Sequence, residues 1–149
     1  QKHRGNLREA IADLKQAITL HPSPDTAKLL EDAEAELANP NAAALFEQAL
    51  KDFGSEQWAA ARAHFEAALH QNDLRRSRCH NGIGLCLFMD NAAETALAAF
   101  EKATEVEPRN ASAWHNRAKA LEILVSATAH NHANIRKTFD TTNACHLCD

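Results

Sequence analysis

The stretch ALAAFEKATEVEPRNASAW (Ala96–Trp114) places small residues, a phenylalanine, a proline and a tryptophan at regular intervals in a chain with few aromatics. Ala96, Phe100 and Ala103 lie four and three residues apart, a spacing that puts all three on one face of an α-helix. The same trio occurs 35 residues earlier as Ala61, Phe65 and Ala68, and first as Ala10, Leu14 and Ala17. Ala10 and Ala61 are 51 residues apart, one 34-residue period plus 17, which is about one helix and its turn. An additional helix, residues 24–38, is therefore expected as an insertion in an otherwise periodic chain. Pro22 and Pro108 each lie five residues after the last Ala of their trio, and Asp73 takes that place in the middle.

Composition agrees with helices throughout. There are 4 Gly and 4 Pro in 149 residues, no Tyr and little Val, against abundant Ala, Leu and Glu. The formal net charge is -4 and no block of Lys and Arg stands out, which argues against nucleic acid as a partner. The short basic run Leu74–Arg78 (LRRSR) reads as a solvated helix start. No apolar stretch approaches the roughly 18 residues that a membrane span requires, so no membrane insertion is expected.

A pass along the chain gives a first helix from about Asn6 to Leu20, with Leu7, Ile11, Leu14 and Ile18 as its stripe. Ser23 and Pro24 start a second helix that runs to about Leu37, and Pro40 stops it. Further helices are expected over residues 42–53, 56–70, 74–89, 92–106 and 111–124, with one more over 127–139 and then a loose tail. Short connections imply antiparallel neighbours.

The repeated pattern resembles the tetratricopeptide repeat family. The best unit spans residues 77–110, with Ile83-Gly84 as a large–small pair, Leu87 as the next bulky residue, then Ala96, Phe100, Ala103 and Pro108. His80 stands where a larger apolar residue is usual. The unit before it, residues 42–74, offers Leu45, Ala49, Trp58, Ala61, Phe65 and Ala68, with Gln48 where a Leu is usual. A degenerate final repeat over 111–139 begins with Trp114, Ala118 and Leu121, and residues 140–149 form a tail. Residues 5–22 look like the second helix of a unit whose first helix would lie upstream, so the chain is expected to be a fragment of a longer one. The resemblance implies an all-α, right-handed superhelical solenoid of antiparallel hairpins, about seven or eight helices in all. Small residues at Gly84, Ala96 and Ala103 would allow close helix approach.

The resemblance also implies that the first helix of each unit lines a concave groove. The groove-facing residues are then Phe46, Leu50 and Phe53 in one unit, Arg78, Asn81, Leu85, Phe88 and Met89 in the next, and His115, Lys119 and Glu122 in the third. An apolar strip rimmed by polar groups suits an amphipathic helix or an extended peptide. The opposing reading is that the inserted helix or the tail folds over Phe46, Leu50 and Phe53. Some family members clamp a chaperone's C-terminal carboxylate with Lys, Arg and Asn. Here Ala43 and Phe46 occupy the first of the three helices, and Asn81, Asn116 and Lys119 supply scattered pieces that do not make that clamp.

The leading function is a non-enzymatic protein-interaction scaffold, with self-association as one form and the cytoplasm as its expected location. One alternative is a docking or regulatory domain of a larger enzyme complex. Another is a metal or redox protein using Cys145 and Cys148 with His130 and His132, since a C-x₂-C pair can bind zinc or cycle as a dithiol. No cofactor is called for. Cys79 and Cys86, seven apart on one helix, read as small buried apolar residues. His64 reads as exposed, and no catalytic constellation forms around it or around His70 and His80. Asn110-Ala111-Ser112 is a glycosylation acceptor pattern that matters only in a secreted chain.

Overall fold

A computed structural model describes residues 1–145, with side chains as far as Asn131. Seven helices follow one another: α1 (Lys2–Leu20), α2 (Pro24–Ala38), α3 (Pro40–Gly54), α4 (Trp58–His70), α5 (Arg76–Met89), α6 (Ala93–Val106) and α7 (Ala111–Cys145). Neighbours in sequence pack together, so the fold is an all-α solenoid with no strand among the described residues. Two complete hairpins, α3–α4 and α5–α6, form its middle.

Local chemistry fixes where each helix starts and turns. Pro24 and Pro40 sit in the first turns of α2 and α3, where a missing N–H costs nothing. The Asn39 carboxamide caps α3 by accepting from the Ala42 N–H at 3.2 Å, while its Nδ2 donates to the Gln71 carbonyl at 2.7 Å. Asn110 does the same for α7: it accepts from the Ala113 N–H at 3.1 Å and donates to Ser77 Oγ at 2.9 Å. Ser77 Oγ in turn donates to the Ala103 carbonyl at 2.8 Å, which ties α5, α6 and α7 at one point. That use of Asn110 argues against the glycosylation pattern, because its nitrogen already serves the fold. Glu56, Asn72 and Asn91 turn the chain with φ of 60°, 57° and 61°. Asn tolerates this left-handed region; Glu56 occupies it at a cost.

The core follows the repeated trio. Ala61, Phe65 and Ala68 are buried, as are Ala96, Phe100 and Ala103. Between these two rows lies α5, pressed from both sides. A Cβ at Gly82 would come 2.6 Å from the Phe65 ring, and one at Gly84 2.5 Å from the Phe100 ring. Glycine is required on both sides because no side chain fits in either gap. Cys79 and Cys86 are buried free thiols, as expected of small apolar residues. Burial first, then the Asp73 charge, pushes the Cys79 thiol up to about 12. Burial and then Asp90 push Cys86 up to about 11.

Two expectations are corrected. The segment after Leu124 does not break into a second helix and a tail: α7 runs on to Cys145, because no Gly or Pro interrupts residues 124–145. The stripe expected on α1 does face its neighbour, with Ile11 buried and Leu7, Leu14 and Ile18 half-buried, while Ala10 and Ala17 of the trio are exposed. The run LRRSR is not a solvated helix start. Arg75 is 1% exposed, because Asp73, also buried, takes its guanidinium at two points, Nε to Oδ1 and Nη2 to Oδ2, each 2.9 Å.

Candidate functional site

The buried Arg75 organises the concave side. Its backbone N–H donates to Asp73 Oδ1 at 2.8 Å, so one carboxylate fixes both the entry into α5 and the side chain. The guanidinium reaches on to Asp32 of α2 at 2.9 Å and Glu47 of α3 at 3.3 Å. Arg78 meets Asp32 at 2.6 Å and Glu31 at 3.3 Å. Burial opposes the charge on Arg75, but Asp73 and Asp32 outweigh it and hold the guanidinium firmly protonated. Burial would likewise raise the Asp32 carboxyl, yet the hydrogen bonds and charges of Arg78 and Arg75 hold it below the usual range. This network seats α2 against α5.

Both guanidinium groups lie over the Phe46 ring, with their carbons 3.8 Å (Arg75) and 4.9 Å (Arg78) from its centroid. From the other side Phe65 meets Phe46 edge-on, centroids 5.6 Å apart. Phe46 therefore has 1% of its surface exposed and supports the groove floor instead of offering a surface to a partner, a correction to its reading as a groove anchor. Leu50, one turn on, is 42% exposed. Phe53 is half-buried, packed edge-on against Trp58 at 5.0 Å.

These residues open into a cleft of about 740 Å³ between α2, α3, α5 and the α6–α7 turn. Leu50, Phe53 and Leu85 give it an apolar centre; Lys28, Glu31, Arg78, Asn81, Glu107 and Arg109 give it a polar margin. Five of the groove residues expected from sequence thus share one cleft above Phe46. Phe88, Lys119 and Glu122 belong to a second cleft, about 470 Å³, with Ile123 and Ser126. Met89 and His115 are exposed and line neither. Asn116 Nδ2 donates to Asn81 Oδ1 at 3.0 Å, joining α7 to α5. Both carboxamides are thereby engaged with each other.

Sequence reasoning missed the wall that α2 contributes, Lys28 and Glu31, and the loop residue Arg109. The insertion itself was visible, but its charged face had no repeat counterpart to align with. Gly82, two residues before the recognised Gly84, was the available sign that α5 is squeezed on both sides. His64 is not free: its Nδ1 lies 2.6 Å from Asp52 Oδ2. Of the terminal cluster, His130 is exposed, while the side chains of His132, Cys145 and Cys148 lie outside the described residues. No His, Cys, Asp and Glu group suited to a metal occurs among the described side chains.

A stack of helical hairpins with a cleft along one side defines a helical-repeat protein. Residues 46–104 match the family described as Tetratricopeptide repeat. Among solved structures it is similar to the TPR2AB-domain:pHSP90-complex of yeast Sti1, with 22% identity and a TM-score of 0.49. The alignment covers 85% of this chain and 52% of that one, so this chain spans about half its length. No curated protein sequence matches it.

Proposed function

We propose that the chain is a non-catalytic interaction scaffold whose larger cleft takes a short peptide or helix of a partner protein. The observation that carries this reading is the apolar centre of Leu50, Phe53 and Leu85 inside a charged margin, open to solvent above the buried Phe46. An apolar anchor residue of the partner would seat between these three, and its flanking polar groups would reach Asn81, Lys28 and Arg109. The ion pairs from Glu31 and Asp32 to Arg78 support a preformed α2 wall, so little ordering is needed on binding.

Selection of peptides from a displayed random library on the intact chain tests this. Leu85→Asp and Leu50→Asp should each weaken a selected peptide at least about tenfold, the cost of placing a charge against an apolar anchor. Binding unchanged by both would remove the cleft reading. The second cleft, with Phe88, Lys119 and Glu122, extends the surface toward α7, and Lys119→Glu tests whether the same ligand reaches it. Self-association is a separate reading that rests on the ends of the stack, not on the cleft. The free buried thiols Cys79 and Cys86 suit a reducing compartment, which supports a cytoplasmic location. No described helix is long and apolar enough to cross a membrane.

A further inference from the structure

Helices α1 and α2 form a hairpin with two unlike seams. Helix α1 packs against α2, and its stripe supplies buried Ile11 and half-buried Leu7, Leu14 and Ile18. Lys15 meets Glu34 of α2 at 2.9 Å, and Leu30 and Leu37, one turn to either side of Glu34, are half-buried. That seam is mostly apolar. The seam from α2 to the repeats is not. Ala35 is the one residue that α2 buries. Contact with α5 is made by charge: Asp32 to Arg75 at 2.9 Å and to Arg78 at 2.6 Å, and Glu31 to Arg78 at 3.3 Å. By comparison, α4 meets α5 with the Phe65 ring, where Gly82 leaves no room for a side chain.

These charged contacts can break without disturbing the repeats. Arg75 keeps its two side-chain bonds to Asp73, and its contact with Glu47, when Asp32 is withdrawn, so no buried charge is stranded. The side chains of Glu31, Asp32 and Arg78 are 42%, 31% and 21% exposed, so dissolved salt screens them. A single residue, Asn39, joins α2 to α3. Its carboxamide donates to the Gln71 carbonyl and accepts from the Ala42 N–H, both outside α2. The joint is thus anchored on the repeats, not on α2.

We infer that α1 and α2 move as one flap, hinged at Asn39 and latched to α5 by Glu31 and Asp32, and that the latch regulates the larger cleft. Its consequence for binding rests on the cleft reading. Pro24, Ala27, Lys28 and Glu31 of α2 form one wall of that cleft, so the position of the flap sets the cleft's width. With the latch closed, the wall is preformed. With it open, the cleft widens, Lys28 leaves the rim, and Arg78 loses both of its carboxylates. A ligand that touches α2 and α5 together binds the closed state better than the open one and holds the flap down.

Hydrogen exchange read by mass spectrometry on the intact chain tests this. Off the repeats, α1 and α2 are two short helices sharing one seam, too little to protect their amides. Their peptides should exchange together. Raising NaCl from about 20 mM to about 500 mM should speed both at least about fivefold while α4, α5 and α6 stay within about twofold. Glu31→Gln/Asp32→Asn should give the fast rate already at low salt and remove the salt response. Glu47→Gln, which takes a carboxylate of α3 from the same Arg75, should leave α1 and α2 at the parent rate. A peptide selected on the cleft should slow both helices at least about fivefold. Exchange of α1 and α2 in step with α5 at both salt concentrations overturns the flap. So does a double variant that keeps the parent rate. A bound peptide that leaves α1 and α2 unchanged overturns the coupling to the cleft. Leu85→Asp should weaken the peptide yet keep the salt response, and a selection that yields no peptide sinks the cleft reading while the salt response still decides the flap.

Discussion

Helices α5 and α7 hold the same place in successive repeats, yet among the described residues one is covered on both sides and the other on one. Their common faces are alike: Cys79, Cys86, Ala113 and Ala120 are all buried. What differs is the opposite side, where α5 has Gly84 beneath a phenyl ring and α7 has Ala118 at the surface with Trp114 beside it. In a helix pressed between two others, both approach distances are set by neighbours and the sequence must yield to glycine. On α7, which carries no described helix on that side, a tryptophan stands at the place where α5 has His80. Its ring carries the Arg117 guanidinium at 5.1 Å, and its Nε1 donates to the Pro108 carbonyl at 2.9 Å.

The two helix starts offer the largest test of that contrast. Helix α5 begins at a buried charged pair, α7 at a neutral Asn110 cap. Arg75→Ala should cost about 3–5 kcal/mol, because it leaves the Asp73 carboxylate buried with no countercharge. Asn110→Ala should cost about 1 kcal/mol. Urea titrations of the two variants give both values, and equal losses would show that the buried pair is not what anchors α5. Next in size, Gly84→Leu should cost about 1–3 kcal/mol or more by forcing Phe100 aside. Ala118→Leu, at the equivalent place on α7, should stay within about 0.5 kcal/mol of the parent. A destabilising Ala118→Leu in dilute monomer would mean that the outer face of α7 is already occupied.

A smaller effect concerns the α5 thiols. With Cys79 raised to about 12 and Cys86 to about 11, both by burial first, little thiolate forms near neutrality. Iodoacetamide should leave them unmodified in the folded chain and label both in urea, read by peptide mass. Labelling in the folded chain as fast as in urea would mean that α5 opens readily. Cys79→Ala, which gives α5 the residue α7 already uses, should cost only about 1 kcal/mol.

How much of this was legible in the sequence follows the same division. The two central hairpins were readable because packing demands small and large residues at fixed spacing, so Ala61, Phe65 and Ala68 and their later copies announce the core. The matching trio on α1 carried the same letters, but burial depends on a neighbour, and no letter in Ala10–Ala17 reports one. The cleft was half legible. Leu50, Phe53, Arg78, Asn81 and Leu85 follow from the repeat register, while the α2 wall does not, because the insertion breaks that register. The role of Arg75 was missed since a basic run ordinarily stays in water. The sign was Asp73 two residues before it, at the place where another unit has proline.

The smallest effect returns to position 80, where α5 has an imidazole and α7 an indole. His80 is half-buried, and its Nε2 has no hydrogen-bond partner. Burial, then the charges of Arg76 and Lys102, hold its pKa below the ordinary value. In the unfolded chain the imidazole takes up its proton near pH 6.5. As pH falls through that value, the unfolded state binds the proton before the folded one, so folding stability declines. The decline levels off once pH passes below the depressed folded pKa. The urea midpoint of the parent should therefore drop between about pH 7.5 and pH 5.5, beyond whatever the other histidines contribute. His80→Leu should remove this part of the drop while keeping the side chain's packing role. If the midpoint of His80→Leu falls by as much as the parent's over that interval, His80 is solvated in the folded protein, and α5 is less tightly enclosed than its glycines indicate.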